Sequence, residues 1–179
     1  MKLPPIYGYV IWLLPEKKRA NELQKIIGEL ARTFHSIPFH PHITLTPCPD
    51  DMPFEKLKAI CEDLANNFKP LEPDLLKISS LNNNYQSLYI QIKRSDQLIE
   101  LRKTARSKTG LEPDHSYMPH LSLFYGFLSD DQRREITGRL SSSIPERIHA
   151  DQLALVQLNG TPDTWQIVHS VHLSMNEEK

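Results

Sequence analysis

The chain has 179 residues, of which 39% are hydrophobic and 24% are charged, a length and composition that suit one globular domain. Its 21 basic and 22 acidic side chains give a formal net charge of −1, which argues against a general duplex-binding protein with a basic stripe. Cys48 and Cys61 are too few for a disulfide framework and are predicted to be reduced thiols. No apolar run reaches about 18 residues and no signal peptide opens the chain, so we expect a cytoplasmic protein that does not enter a membrane.

The pattern of apolar residues predicts both strands and helices. Short runs rich in β-branched and aromatic residues indicate strands, and apolar residues spaced three or four apart indicate amphipathic helices. In chain order the predicted elements are strand 6–14, helix 16–33, strand 39–46, helix 54–68, strands 75–81 and 87–93, helix 96–107, strand 119–127, helix 129–140, and strands 148–158 and 165–173. The three asparagines at 82–84 and the segment 159–163 predict turns between strands.

One short motif occurs twice. The segment PHITL at residues 41–45 resembles PHLSL at residues 119–123. Each copy lies on a predicted strand, and each strand is preceded by one helix and followed by another. The repeat therefore predicts two similar halves that face one another.

The two motifs carry side chains suited to phosphodiester cleavage. Because side chains alternate between the faces of a strand, His42, Thr44 and Thr46 share one face, and so do His120 and Ser122. If the two strands lie side by side, both imidazoles line one groove. One histidine, neutral, can then take a proton from the attacking water, and the other, protonated, can give a proton to the leaving ribose oxygen. Histidine suits both tasks because its ordinary pKa is about 6.5. Hydroxyl groups beside them can donate hydrogen bonds to the phosphate oxygens, so no metal is needed. The sequence leaves open which histidine is the acid and which is the base.

The paired motif resembles that of the two-histidine phosphoesterases, and most closely their cyclic phosphodiesterase branch, known from plants and yeast. The matching segments are YVIWLLP at 9–15, HPHITL at 40–45, YMPHLSLFY at 117–125 and TW at 164–165. The resemblance implies an α+β fold, a single bilobal domain over residues 1–179 in which two antiparallel sheets, each backed by helices, enclose the active groove. It also implies hydrolysis of ADP-ribose 1'',2''-cyclic phosphate and nucleoside 2',3'-cyclic phosphates without a metal or other cofactor.

Residue by residue, the resemblance implies that His42 and His120 are catalytic and that Thr44 and Ser122 bind the phosphate. It implies substrate contacts for four further residues, namely Trp12, Tyr125, Tyr85 and Gln86. The sequence departs from the family pattern in three ways. Thr46 adds a hydroxyl that the pattern does not require. Phe124, at the corresponding position of the second motif, has no hydroxyl. The disulfide-forming cysteines of plant members have no counterparts.

Several other groups have simpler interpretations. His40 could suggest a zinc site, but zinc needs three or four ligands, so a place at the groove rim or in solvent is the better prediction. We expect surface or core positions for the histidines that have no partner motif, namely His35, His149, His169 and His172. Five basic residues could attract phosphate, or simply form a solvated helix face: Lys93, Arg94, Arg102, Lys103 and Arg106.

Two alternative functions stay open from the sequence. One is an RNA-end enzyme of the same fold, acting as a 2'-5' ligase or as a 3'-end phosphodiesterase, which would favour a more basic groove than the near-neutral charge indicates. The other is a module that binds a nucleotide without chemistry, although a binder has no need for both imidazoles. For the leading prediction, a cyclic phosphodiesterase, we expect a monomer that takes a small nucleotide-like cyclic phosphate and no duplex nucleic acid.

Overall fold

A computed structural model describes residues 3–174 of the chain. Within that range it has seven strands and four α-helices, together with a short 3-10 helix at Pro162–Thr164. In chain order they are β1 (Ile6–Pro15), α1 (Lys17–Thr33), β2 (Ile43–Pro47), α2 (Phe54–Asn67), β3 (Leu75–Ser79), β4 (Leu88–Ile92), α3 (Asp96–Lys108), β5 (His120–Phe124), α4 (Asp130–Leu140), β6 (Ala150–Gly160) and β7 (Gln166–His172). The predicted α+β fold class is confirmed.

The strands form one antiparallel sheet in the order β3-β4-β5-β2-β1-β6-β7. The expectation of two separate sheets is therefore wrong for the described residues. The repeated strands β2 and β5 lie side by side at the centre, where their pairing is limited to Ile43 and Leu121. Joining the halves at this point covers two strand edges that would otherwise expose unpaired backbone groups.

Alternation along the strands separates the two faces of the sheet. On β1, Ile11 and Leu13 belong to the large core beneath the helices. Val10 and Trp12 point to the opposite face, where they pack with Val156 of β6. The same alternation sends the apolar residues of both repeated motifs into the core and their histidines and hydroxyls away from it.

Two predicted strands differ from the structure by three or more residues at one end. The strand predicted at 39–46 begins only at Ile43, because Pro38 and Pro41 lack the N–H groups that a ladder requires. The strand predicted at 119–127 ends at Phe124. Gly126 follows with a φ of 123°, a conformation that favours glycine, and its N–H donates to the Asn84 carbonyl at 2.8 Å. This bond ties the β3–β4 connection to the end of β5.

One helix end and the two thiols have well-defined surroundings. Ser129 caps α4 through a capping box with Gln132. Cys48 and Cys61 are buried as free thiols, and burial raises the pKa of each to about 12.

No helix within residues 3–174 combines the length and the apolar character that a bilayer crossing requires.

Candidate active site

A cavity of about 370 Å³ opens on the face of the sheet that carries Trp12. Its volume lies within the range of about 300–1,000 Å³ that is usual for small-molecule sites. Both halves of the molecule contribute to its walls. Seven of the eight predicted site residues line it, namely Trp12, His42, Thr44, Tyr85, Gln86, His120 and Tyr125.

His42 is buried and held from two sides. Its Nδ1 atom lies 2.6 Å from the carbonyl oxygen of His40. Because a carbonyl can only accept, Nδ1 carries the hydrogen, and Nε2 is the atom that can exchange a proton with a ligand. The imidazole also stacks on the Trp12 ring, with centroids 3.6 Å apart and planes 8° apart.

His120 repeats the same local geometry at the first residue of β5. Its Nδ1 atom lies 3.0 Å from the carbonyl oxygen of Met118, again two residues earlier in the chain. A proline, Pro41 or Pro119, stands between each histidine and the carbonyl that it contacts. The fixed φ of proline restricts the short segment in which this bond closes, which gives a physical reason for the proline in both motifs.

Gln86 reaches the second histidine from the β3–β4 connection. Its Nε2 atom lies 3.5 Å from Nε2 of His120, while its Oε1 atom accepts from the side-chain amide of Asn83 at 3.2 Å. The bond to Asn83 orients the amide so that its NH₂ group faces the imidazole. Asn83 also accepts from the Tyr85 backbone N–H at 2.9 Å, in an Asx turn. Sequence reasoning missed Asn83 as a site residue because three adjacent asparagines indicated only a turn.

The predicted hydroxyl groups are placed differently from one another. Thr44 is half-buried in the cavity wall and lies opposite Trp12 in the β1–β2 ladder. Ser122 is buried beside the cavity, and its hydroxyl donates to the Tyr85 carbonyl at 3.3 Å. Thr46 is buried and donates to the Pro47 carbonyl at 2.8 Å, outside the cavity.

Trp12 and Tyr125 expose little surface for a substrate. They are only 3% and 4% exposed. One face of Trp12 is covered by His42, and Tyr125 stacks on Phe39 with centroids 3.7 Å apart. Their direct contribution to the cavity is therefore confined to ring edges.

Two half-buried aromatic rings stack against one another in the cavity wall. Tyr85 and Trp165 stack with centroids 5.9 Å apart, and they come from opposite ends of the sheet order, the β3–β4 connection and the segment before β7. The Tyr85 hydroxyl donates to the Pro4 carbonyl, and the Trp165 Nε1–H donates to the Gly160 carbonyl at 3.0 Å. Trp165 was not among the predicted site residues, although the TW segment matched the family pattern.

The cavity contains no fixed charge. Among residues 3–174, the side chains that line it include no lysine, arginine, aspartate or glutamate. Burial lowers the pKa of His42 to about 3, with a smaller contribution from the nearby His120, and burial also lowers the pKa of His120. Both imidazoles are therefore neutral at pH 7 when the cavity holds no anion.

The remaining histidines lie outside the cavity. His40 is exposed and contributes its carbonyl to His42. Three others lie beside acidic side chains, in the pairs His149–Glu72, His169–Glu62 and His172–Asp151. The part of the chain that the structure describes has no group of three or more histidines, cysteines or acidic residues placed to hold a metal ion.

Comparison with known families shows what kind of protein carries this geometry. The sequence model of the 2'-5' RNA ligase superfamily matches residues 37–162, more than two thirds of the chain and both histidine motifs. The chain belongs to the 2'-5' RNA ligase superfamily. The predicted membership of the two-histidine phosphoesterases is confirmed, and the chain is a phosphoesterase of this class.

One known protein and two solved structures resemble the chain over nearly its whole length. A cyclic phosphodiesterase of Arabidopsis thaliana is 21% identical over 173 residues, which cover 93% of this chain and 95% of that protein. TT0787 of Thermus thermophilus has a similar fold, with a TM-score of 0.65, 14% identity and coverage of 94% of this chain and 99% of that one. E. coli LigT in its apo form gives a TM-score of 0.60 at 15% identity, with coverage of 97% and 100%.

Proposed function

We propose that the chain hydrolyses a cyclic phosphodiester to a phosphomonoester, acting on ADP-ribose 1'',2''-cyclic phosphate, on nucleoside 2',3'-cyclic phosphates or on both. The observation that carries the proposal is the matched placement of His42 and His120. Both line one cavity, and both commit Nδ1 to a backbone carbonyl two residues earlier, which leaves Nε2 as the atom for proton transfer. The Nε2 atom of His120 has only the long 3.5 Å contact with the Gln86 amide to give up. The Arabidopsis relative, whose name is cyclic phosphodiesterase, supports the same reaction.

In the proposed reaction, a water oxygen attacks the phosphorus atom while one neutral imidazole takes the water proton at Nε2. The bond between phosphorus and one ribose oxygen breaks, and the second imidazole, protonated beforehand, gives its proton to that oxygen. The products are a phosphomonoester and a free hydroxyl, and proton exchange with solvent restores both histidines. Each correctly placed acid or base contributes about 10²–10⁴-fold in rate.

Substrate binding supplies the charge that the cavity lacks. Burial lowers the pKa of both imidazoles in the unliganded site. A bound phosphodiester brings one negative charge, which raises the pKa of a neighbouring imidazole and favours its protonated form. The Thr44 hydroxyl in the cavity wall donates to a non-bridging phosphate oxygen, and Ser122 does so after releasing the Tyr85 carbonyl.

The cavity favours a small substrate over a polynucleotide. Proteins that follow a nucleic-acid backbone use a positively charged groove, and the lining residues within 3–174 include no lysine or arginine. The stacked rings of Tyr85 and Trp165 also belong to the cavity wall. They are half-buried, so they offer more ring surface to a nucleobase than Trp12 or Tyr125 does. The RNA-end alternative has no comparable support in the cavity.

Turnover of 2',3'-cyclic AMP in excess chelator, followed by phosphorus NMR, tests the proposal. We expect the cyclic phosphate resonance to be replaced by that of a single monoester, at a rate that chelator does not change. Tight binding without turnover would instead support a binding module. Turnover of oligonucleotide ends alone would support the RNA-end enzyme.

The pH dependence of kcat/KM is expected to follow from the lowered pKa of both histidines. Catalysis requires one protonated and one neutral imidazole, so the competent fraction of free enzyme is greatest midway between the two pKa values. Because both values lie below the ordinary 6.5, the maximum of kcat/KM should fall on the acid side of pH 6.5. The maximum of kcat should lie at higher pH, since bound phosphate raises the pKa of the acid. The control variant His172→Ala changes an exposed histidine and should leave both pH profiles unchanged. A kcat/KM maximum above pH 7 in the unaltered enzyme would contradict the proposed charge states.

A further inference from the structure

A second, smaller cavity lies between α3 and the segment that leads to β5. Its volume is about 120 Å³, and it shares no lining residue with the catalytic cavity. Four side chains with permanent positive charge and one carboxylate line it, namely Arg94, Arg102, Lys103, Arg106 and Asp114. These cations are four of the five basic residues that the sequence singles out, and the proposed reaction does not use them.

Arg102 is the buried centre of this cluster, with an exposed fraction of 7%. Its guanidinium lies 3.8 Å from the centroid of the Tyr117 ring, Nη1 donates to the Leu45 carbonyl, and Nη2 donates to the Asp114 carboxylate at 2.6 Å. Its Nε atom is buried and has no hydrogen-bond partner among the described residues. The three contacts of the ring and the two Nη atoms hold the Arg102 guanidinium in a fixed position in the cavity wall.

The other cations retain donors for a ligand. Arg94 donates one N–H to the His115 carbonyl at 3.2 Å, and Arg106 donates its Nε–H to the Glu112 carbonyl at 2.7 Å. A guanidinium has five N–H donors, so these bonds hold the side chains in place without exhausting them. Lys103 is exposed and lies 3.6 Å from Glu100, an exposed pair of little energetic weight.

We propose that this second cavity binds a single phosphate group, either as the free ion or as a phosphomonoester. Guanidinium groups match the geometry of phosphate oxygens and form strong charge-assisted hydrogen bonds with them. The volume lies well below the range of about 300–1,000 Å³ that is usual for small-molecule sites, which suits one tetrahedral oxyanion better than a whole nucleotide. The four cationic side chains outnumber the one carboxylate in the lining, which favours an anion.

Titration of the full-length, ¹⁵N-labelled chain with inorganic phosphate at constant ionic strength tests the site. We expect saturable shifts of the backbone amides at 103–116, separate from any shifts at 42–46 and 120–124 that report phosphate in the catalytic cavity. The double variant Arg94→Gln/Lys103→Gln should weaken the response at 103–116 by about tenfold. The single variant Lys103→Glu should also weaken phosphate binding. Lys103 is exposed, so this change leaves the bonds of Arg94 and Arg106 to backbone carbonyls in place.

The matched control is Arg134→Gln/Arg139→Gln, which removes the same charge from exposed positions on α4, outside the cavity. It should leave the phosphate affinity at 103–116 unchanged. Repeating the titration with methyl phosphate distinguishes a phosphomonoester from the free ion as the ligand. If methyl phosphate binds as tightly as inorganic phosphate, the site accepts a phosphomonoester. If only inorganic phosphate binds, the site is specific for the free ion. Equal affinity in both double variants, shifts confined to the catalytic cavity, or the same shifts with sodium chloride would overturn the proposal.

Discussion

Alanine in place of His42 or His120 is expected to lower kcat on 2',3'-cyclic AMP by about 10²–10⁴-fold. Each imidazole presents Nε2 to the cavity, and each serves a different proton transfer in the proposed reaction. Removing one of them leaves either the attacking water or the departing oxygen without its partner. Steady-state kinetics with each purified variant gives the measurement.

Two controls separate a chemical effect from a structural one. His35→Ala and His172→Ala change exposed histidines outside the cavity and should keep the rate of the unaltered enzyme. Because His42 stacks on Trp12, the alanine variant removes this packing as well as the imidazole. A second variant, His42→Gln, removes the imidazole but keeps more of the packing. If either His42 or His120 can be replaced with near-normal turnover in a folded protein, the proposed acid–base pair is wrong.

Valine in place of Thr44 is expected to lower kcat by about 10²-fold, the loss typical of one oriented donor to a developing oxyanion. Valine keeps the shape of threonine, so the change removes the hydroxyl from the cavity wall and little else. The matched variant is Thr46→Val on the same strand, because that hydroxyl is buried and bonded to the Pro47 carbonyl outside the cavity.

The two threonine variants are compared through kcat and KM separately. A hydroxyl that acts mainly in the transition state affects kcat more than KM, whereas one that only holds the ground state raises KM alone. Thr46→Val should change neither constant, and any loss should appear in thermal stability. Equal kinetic effects of Thr44→Val and Thr46→Val would refute the assigned role of Thr44.

The sequence predicted the elements well where periodicity was strong. The amphipathic helices α1 and α2 and the two halves of the repeat follow from spacing alone, since the burial of one face fixes which residues point inward. The strand containing Thr44 was predicted too long at its start, because runs of apolar residues do not reveal how prolines interrupt a ladder. The joining of the two halves into one sheet could not be predicted, since strand alternation fixes a face and not a neighbour.

Within the candidate site, the repeat predicted the histidines and their adjoining hydroxyls but not what holds them. The carbonyls of His40 and Met118 act through the backbone and carry no side-chain signal. The Asn83–Gln86 bond and the Tyr85–Trp165 stack depend on loops brought together from distant parts of the chain. Such contacts are decided by tertiary packing, which single-sequence patterns do not encode.

The narrow pairing of β2 with β5 has a consequence for how the two imidazoles are spaced. Ile43 and Leu121, the sole Cα partners found there among the described strands, are each completely buried and each immediately follow a histidine. Few backbone bonds fix the separation of the strands at that point, so we expect the bulk of these two core side chains to set the distance between the two imidazoles. The spacing of the proposed proton donor and acceptor then depends on two apolar side chains that lie in the core and not in the cavity wall.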